Sequence, residues 1–406
     1  MKRHYAALLD EYLKLFPCVA IIGVRQCGKT SLIHQLPGEW THYDLEKIQD
    51  RDIIQTNPDL FFRLNPEKVT MDESQLLPDL YPALRVAIDN QRDKCGRFII
   101  TGSSSPELTR SISESLAGRV AIIEMEPFNL AEAYEKPVSS IYPLIMQQAL
   151  ASHSRELTPI HTLDEVMRHW LNGGYPEPWI KNTVRFKKLW MQNYIQTYLD
   201  RDILRSFPRL SGDKYRLFTQ LLSQLSGQII NYSNVSRLLG VSQPTARDYF
   251  NIAQGTFIWR HLPAYEKNAT KRIIKHPKGY LRDTGMLHHL LHLHDLNMLL
   301  THPQMGHSWE TMISENIIRG LTSLGAEFEY FHYRTGAGAE IDLVLEGEFG
   351  LLPIEIKYAQ RITNKSLRSL REFIQNYSCQ YGLIIHNHET VQRYDENIIG
   401  IPATCL

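Results

Sequence analysis

The sequence predicts an α/β protein, and three observations carry that prediction. CVAIIG (18–23), KVTMDES (68–74) and RFIITGSSS (97–105) are short apolar runs rich in β-branched residues that read as buried strands. Between them stand stretches at helical spacing, KTSLIHQL and LYPALRVAIDNQ, so strand and helix alternate as in a parallel sheet with helices on both faces. After EPFNLAEAYEK (126–136) the β pattern stops, and helical periodicity takes over to about residue 205.

At 406 residues the chain is too long for one compact core, and two to four domains are expected. Lys plus Arg equals Asp plus Glu, 44 each, so bulk charge predicts neither a nucleic-acid nor a membrane partner, and any basic surface must be local. Five scattered cysteines without a C-x-x-C pair argue against a zinc site or a disulfide framework and fit a reducing cytosol. FPCVAIIG is too short to span a bilayer, and a cytoplasmic protein without membrane association is expected.

The loop between the first strand and its helix reads GVRQCGKT and meets G-x-x-x-x-G-K-[ST] at Gly23, Gly28, Lys29 and Thr30. Strand, glycine-bearing loop and helix is the context of a P-loop. Gly23, Val24, Arg25, Gln26, Cys27, Gly28, Lys29, Thr30 and Ser31 would wrap the phosphates of ATP with backbone N–H groups. Lys29 would reach the β/γ oxygens and the Thr30 hydroxyl would ligate Mg²⁺. The strand VTMD ends in two acids. Asp72 is assigned to Mg²⁺ and Glu73 to the general base that polarises the attacking water. Thr101, with Ser103 second, is the candidate γ-phosphate sensor at the end of the next strand. Arg119 precedes a fifth apolar strand. It is either a finger serving a neighbouring subunit of a homo-oligomer or one half of a salt bridge at a helix end. Cys27 is either a tunable thiol at a helix N-terminus or a small loop filler.

In this order GVRQCGKT, MDESQLLPDL, TGSSS and SLAGR resemble the prokaryotic AAA-plus ATPases that carry a C-terminal domain of uncharacterised function. The resemblance continues through GGYPEPW, YLDRDI, YLRDTG, WE and EIDLVL and so covers nearly the whole chain. Cys27, Thr70 and Ser74 stand where that family has apolar or aliphatic residues, which leaves phosphate binding intact. The resemblance implies an ATPase, and it implies that Gly174 and Pro176 touch the nucleotide from a helical lid. On the residues alone, Gly and Pro there mark a turn between helices.

The expected division is an ATPase domain at 1–135, a helical lid at 136–208, a winged helix at 209–285 and a C-terminal α/β domain at 286–406. YSNVSRLLG, VSQ and PTARDYFNIAQ give helix, turn and helix, and the strand FIWRHL follows. Lys267, Lys271, Arg272, Lys275, Lys278 and Arg282 would make a basic wing for double-stranded DNA, although Arg247 is the only base on the expected recognition helix. The alternative is a winged helix used for protein contacts. His288 and His292 are spaced to share a helix face, as metal ligands do. Only Asp295 is near as a third ligand, and partly buried helix histidines are the simpler reading.

Towards the end the order α-β-β-β-α-β resembles restriction-endonuclease-like folds, whose D…[DE]-x-K site is matched by Asp342, Glu355 and Lys357. Two carboxylates would gather Mg²⁺ through hard oxygen ligands, and the lysine would orient or deprotonate water. Glu315 on the preceding helix is the expected third ligand, with Glu310 as its rival. A cross-strand ion pair is the bland alternative. Two functions follow. One is an ATP-driven machine acting on DNA with a Mg²⁺-dependent nuclease site. The other is an ATP-dependent switch whose C-terminal module is a non-catalytic interaction domain.

Overall fold

The computed structural model describes residues 2–103, 111–112, 114–207, 210–266, 276–336, 338–359, 361–362 and 364–406. Two compact units emerge from its internal contacts: Met1–Pro127 with Gly255–Phe257, and Phe128–Gln254 with Ile258–Leu406. Among the described residues no helix is long and apolar enough to cross a membrane.

The first unit is built on strands β1 (Cys18–Gly23), β2 (Thr41–Asp44), β3 (Val69–Asp72), β4 (Phe98–Ser103) and β5 (Val120–Met125). They lie side by side in the order β2-β3-β4-β1-β5, every pair parallel. All six residues of β1 are buried, as befits a central strand covered on both faces. The helix Leu80–Asp89 turns Leu80, Tyr81, Leu84 and Ile88 into that core, the spacing of one helical face. Because every strand runs the same way, the ends of β1, β3 and β4 meet at one edge. Gly23 is in register with Ser103 there. In open α/β sheets ligands bind at that carboxyl edge.

The second unit contains the helices between 130 and 206, a small sheet and a six-stranded sheet. The small sheet joins β6 (Gln228–Ile229), β7 (Trp259–Leu262) and β8 (Lys278–Leu281) in the order β6-β8-β7, antiparallel. The helices Tyr232–Leu239 and Gln243–Gly255 precede β7, separated by the left-handed cap Gly240. The large sheet comprises β9 (Phe328–Arg334), β10 (Glu340–Gly347), β11 (Gly350–Ile356), β12 (Gly382–His386), β13 (Gln392–Asp395) and β14 (Ile398–Pro402), in the order β13-β14-β12-β11-β10-β9. Helices Met305–Ser323 and Asn364–Tyr377 complete the expected α-β-β-β-α-β order.

Residues 136–208, expected as a lid on the ATPase, are part of this second unit. Ile141, Ile145, Val166 and Trp170 share a core with Trp309, Leu343 and Ile354, and the Trp170 ring meets that of Trp309 edge-on at 5.1 Å. Helical periodicity shows that a helix has an apolar face; it does not say which core the face joins. The helix Met305–Ser323 is buried along nearly its whole length, so its polar residues must find partners inside the protein.

Candidate functional site

Gly23 ends β1 where β5 passes so closely that a Cβ would lie 2.0 Å from the Met125 carbonyl oxygen, so only glycine fits. Gly28 opens the helix Lys29–Ile33 at φ +100°, a conformation that also selects glycine. Lys29 is buried and folds back on its own loop, donating to the carbonyls of Gly23 at 3.0 Å and Val24 at 3.2 Å. Arg3, far away in sequence, braces the loop by donating to the Cys27 carbonyl at 2.5 Å and the Glu126 carbonyl at 2.6 Å. No periodicity or motif pointed to Arg3. The Cys27 thiol is buried and donates to the Met125 carbonyl at 3.3 Å, the packing of a loop filler.

At the end of β3, Asp72 accepts from the Thr30 hydroxyl at 2.6 Å and from Thr101. Glu73 follows in the left-handed region at φ +54°, a strained choice for a residue with a Cβ. That turn places its carboxylate against Ser103, whose hydroxyl donates to it at 2.9 Å and whose backbone N–H donates at 3.3 Å; Gln75 donates to it as well. Burial pushes the Glu73 carboxyl up, but the Lys29 charge and the hydrogen bonds from Gln75 and Ser103 outweigh it and hold the group below the usual carboxylate range. The structure thus gathers Lys29, Thr30, Asp72, Glu73, Thr101 and Ser103. Gln75 is an addition that the sequence reading missed.

Arg119 lies elsewhere. It precedes β5, whose first residue, Val120, is in register with Cys18 at the opposite end of β1 from the loop. Its guanidinium grips Asp89, the last residue of the helix Leu80–Asp89, through two bonds of 2.7 and 2.9 Å.

In the second unit Asp342 on β10 and Glu355 on β11 stand opposite each other, one step past the paired Leu343 and Ile354. Both are buried, and like charges across strands repel unless cations intervene. Lys357 supplies one cation, 2.7 Å from Glu355 Oε1 and 3.4 Å from Asp342 Oδ2. Lys278 on β8 supplies another. It is fully enclosed, contacts Glu310, and lies 3.8 Å from Glu340 and 4.0 Å from Asp342. Burial works against the Lys278 charge, yet Glu310 first and Asp342 next hold it protonated. Glu310, Asp342 and Glu355 still outnumber the two lysines. Burial, then the neighbouring Asp342, push the Glu355 carboxyl up to about 8 despite Lys357. Its Oε2 is buried and has no hydrogen-bond partner among the described residues.

Two expectations are corrected here. Glu315 does not join the cluster. It is caged by Arg260 at 2.5 Å, Arg319 at 3.3 Å and Arg282 at 3.9 Å. Five residues of α-helix rotate a side chain by about 500°, so Glu310 and Glu315 cannot face the same site. The rival Glu310 takes the place. Secondly, Lys278 and Arg282 are not a solvent-facing wing, because both are buried against acids of the helix Met305–Ser323. The other four wing bases, Lys267, Lys271, Arg272 and Lys275, lie outside the described residues, and Arg247 stacks over the Tyr232 ring at 4.4 Å.

Gly174 is buried in the second unit. Its N–H donates to Asp283 at 2.7 Å, and its carbonyl accepts from the Phe128 N–H at 2.8 Å. Both ring nitrogens of His288 are engaged, with the Leu171 carbonyl at 3.0 Å and the Ser308 hydroxyl at 2.6 Å, so neither is offered to a metal. Among the described residues no three His, Cys, Asp or Glu side chains are arranged to hold a metal ion together.

A parallel sheet in this strand order with a glycine-bearing phosphate loop defines a P-loop ATPase of the AAA type, and residues 16–134 match the family described as AAA domain. Residues 163–297 and 305–406 match two domains of unknown function, DUF8612 and DUF4143. The chain belongs to the same family as the uncharacterized protein Rv2008c of Mycobacterium tuberculosis, 30% identical in an alignment 406 residues long that covers 99% of this chain and 83% of that protein. The uncharacterized protein Mb2031c of Mycobacterium bovis matches to the same extent. Among solved structures, the Walker-type ATPase PABY2304 of Pyrococcus abyssi aligns at 16% identity and a TM-score of 0.40, over 72% of this chain and 95% of that one.

Proposed function

We propose that this ATPase hydrolyses ATP with Mg²⁺ at the edge of the parallel sheet, and that the second unit is a binding module whose hold on its partner follows the nucleotide state. The observation that carries the reading is the continuous hydrogen-bonded set from Thr30 through Asp72 and Thr101 to Glu73 and Ser103. The Thr30 hydroxyl and Asp72 carboxylate are hard oxygen donors 2.6 Å apart beside the phosphate loop, a donor set that fits Mg²⁺. When bound, Mg²⁺ would neutralise charge on the β- and γ-phosphate oxygens. Lys29 would leave the Gly23 and Val24 carbonyls for those oxygens. Glu73, kept ionised, would take the proton of the attacking water, and Ser103 would aim it. Thr101 fixes Asp72. Arg119 is read as a structural pair with Asp89.

Steady-state ATP turnover tests the reading. Lys29→Ala is expected to abolish nucleotide binding, and Glu73→Gln to retain binding while losing turnover. Equal turnover in Glu73→Gln and the natural protein would overturn the assignment of the base.

The carboxylates of the second unit do not fit a bound metal as they stand. Lys278 and Lys357 already place two positive charges among them, and the expected ligand Glu315 is turned away. This favours the non-catalytic interaction module over the nuclease. The convergence of Asp342, Glu355 and Lys357 nevertheless supports a second reading, in which this centre cuts double-stranded DNA held by the helix–turn–helix of residues 232–255, read as a winged helix. Labelled linear, circular and single-stranded DNA, incubated with Mg²⁺ or Mn²⁺ with and without ATP, decides. Cleavage that disappears in Lys357→Ala establishes the nuclease, and intact DNA throughout leaves the interaction module.

A further inference from the structure

The histidine-rich stretch after residue 288 forms one wall of a cavity of about 380 Å³ that no step above uses. The helices Leu163–Asn172, Val184–Tyr194 and Thr284–Leu290 of the second unit supply its walls. Arg168, Lys187, Lys188, His289 and His294 face it, and among the described residues no Asp or Glu lines it. Leu171, Met191 and Leu293 form an apolar side.

Cations gathered with no carboxylate in the lining repel one another. Lys187 is held over the Trp179 ring at 5.2 Å; burial first, then Arg168, keep its ammonium below the usual value. Arg168 has Asp164 at 2.8 Å, but both side chains are mostly exposed, so that pair neutralises little. His289 is discouraged from protonation by burial, then by His294, His292 and Lys188. For His294 the causes are burial, Lys188 and His292, against the opposing charge of Asp295. An anion in the cavity would relieve the whole set at once.

We propose that this cavity binds a phosphate ester of nucleotide size, the phosphate held among Arg168, Lys187 and Lys188 and the ring system laid against Leu171, Met191 and Leu293. The volume is that of a small-molecule site, and a mostly apolar wall with a few convergent charges is how such sites fix orientation. The phosphate ester is either a free nucleotide or the 5′-phosphorylated end of a nucleic-acid strand. Both present the same chemistry.

The test uses the full chain carrying Lys29→Ala, which silences the phosphate loop. It is titrated calorimetrically with AMP, with inorganic phosphate and with a short 5′-phosphorylated oligothymidylate. Saturable binding of AMP or of the oligonucleotide is expected, tighter than that of inorganic phosphate and weakened at least about tenfold in Lys187→Gln/Lys188→Gln, a loss of about 1.4 kcal/mol or more. Whichever of the two organic probes binds more tightly identifies the source. Relief of His289 and His294 adds a readout that a structural role would not move: protons are taken up on binding, seen as a heat that depends on the buffer's ionisation enthalpy. If Lys29→Ala does not fold, the same lysine pair is compared in the otherwise natural chain. No saturable binding of any probe, or equal binding with and without the lysine pair, overturns the proposal. Inorganic phosphate binding as tightly as AMP overturns the nucleotide-sized part.

Discussion

Thr30 donates its hydroxyl proton to Asp72 across 2.6 Å, which ties the first turn after the phosphate loop to the end of β3. In the mechanism proposed above, these two hard oxygens serve a divalent cation. Asp72→Asn keeps the size and one hydrogen bond and removes the charge. It is expected to leave nucleotide binding without Mg²⁺ nearly unchanged, to lose the gain that Mg²⁺ confers, and to lower turnover by at least about a hundredfold. Titration of a fluorescent ATP analogue with and without Mg²⁺ checks this. An undiminished Mg²⁺ effect would show that Asp72 is not a ligand.

Ser103 and Gln75 donate to Glu73 and, with Lys29, hold its carboxyl below the ordinary range against the effect of burial. A general base works only when ionised, so turnover falls as pH drops through its pKa. Removing the two donors in Ser103→Ala/Gln75→Leu lets burial count for more. The acid limb of ATP turnover is then expected to move to higher pH. A limb that stays in place would show that some other group sets it.

Lys278 is enclosed against Glu310 and near Asp342. Removing one partner of a buried ion pair strands the other, at a cost of about 3–5 kcal/mol. Lys278→Met should therefore lower the thermal midpoint of the second unit sharply, and adding Glu310→Leu should recover much of the loss. Melting curves of the two variants check this, and a mild effect of Lys278→Met alone would place the lysine in water.

The residues whose placement was readable in the sequence are those positioned by local geometry. Gly23, Gly28, Lys29 and Thr30 follow from the spacing of one loop, and Asp72 and Glu73 from an acid pair at a strand end, because backbone geometry there fixes what the side chains do. Asp342, Glu355 and Lys357 were readable because strand alternation and a hairpin put them on one face. Glu315 was preferred to its rival Glu310 because the sequence does not say which side of their helix faces Asp342 and Glu355, and helical rotation puts Glu310 on that side. Lys278 was misread because a count of bases cannot tell that β8 is buried on both faces. Glu310, the acid it contacts, sits about thirty residues further on in a helix with almost no exposed face, and Glu340 and Asp342 lie on β10. The membership of residues 136–208 depended on which apolar faces meet, and only the packing of Trp170 on Trp309 decides that.

The Glu355 carboxyl, raised to about 8 by burial and by Asp342, binds its proton more tightly in the folded protein than in the unfolded chain. A raised pKa contributes stability that is fully present below the unfolded value, near 4.5, and lost as pH rises through 8. Between those limits Glu355 is expected to make the protein less stable as pH rises, with a slope of at most about 1.4 kcal/mol per pH unit. Glu355→Gln, uncharged throughout, should flatten that slope. Urea midpoints measured across the interval test it, and an unchanged slope in Glu355→Gln would assign the pH dependence to another group.

Gly174 separates two explanations of the motif GGYPEPW. A Cβ at this position would lie 2.1 Å from the Phe128 carbonyl oxygen, a backbone atom that cannot step aside without moving the hydrogen bond Phe128 makes to Gly174. The Asp283 carboxylate that accepts from the Gly174 N–H also receives the Met286 N–H at 2.9 Å and so caps the helix Thr284–Leu290. If the glycine exists for this close approach, Gly174→Ala should destabilise the second unit by about 1–3 kcal/mol or more and leave the KM for ATP unchanged. If it exists to touch the nucleotide, as the family resemblance implied, the KM should rise while the thermal midpoint stays in place. Measuring both quantities on the one variant decides, and the packing around Phe128 and Asp283 predicts that the midpoint is the one to move.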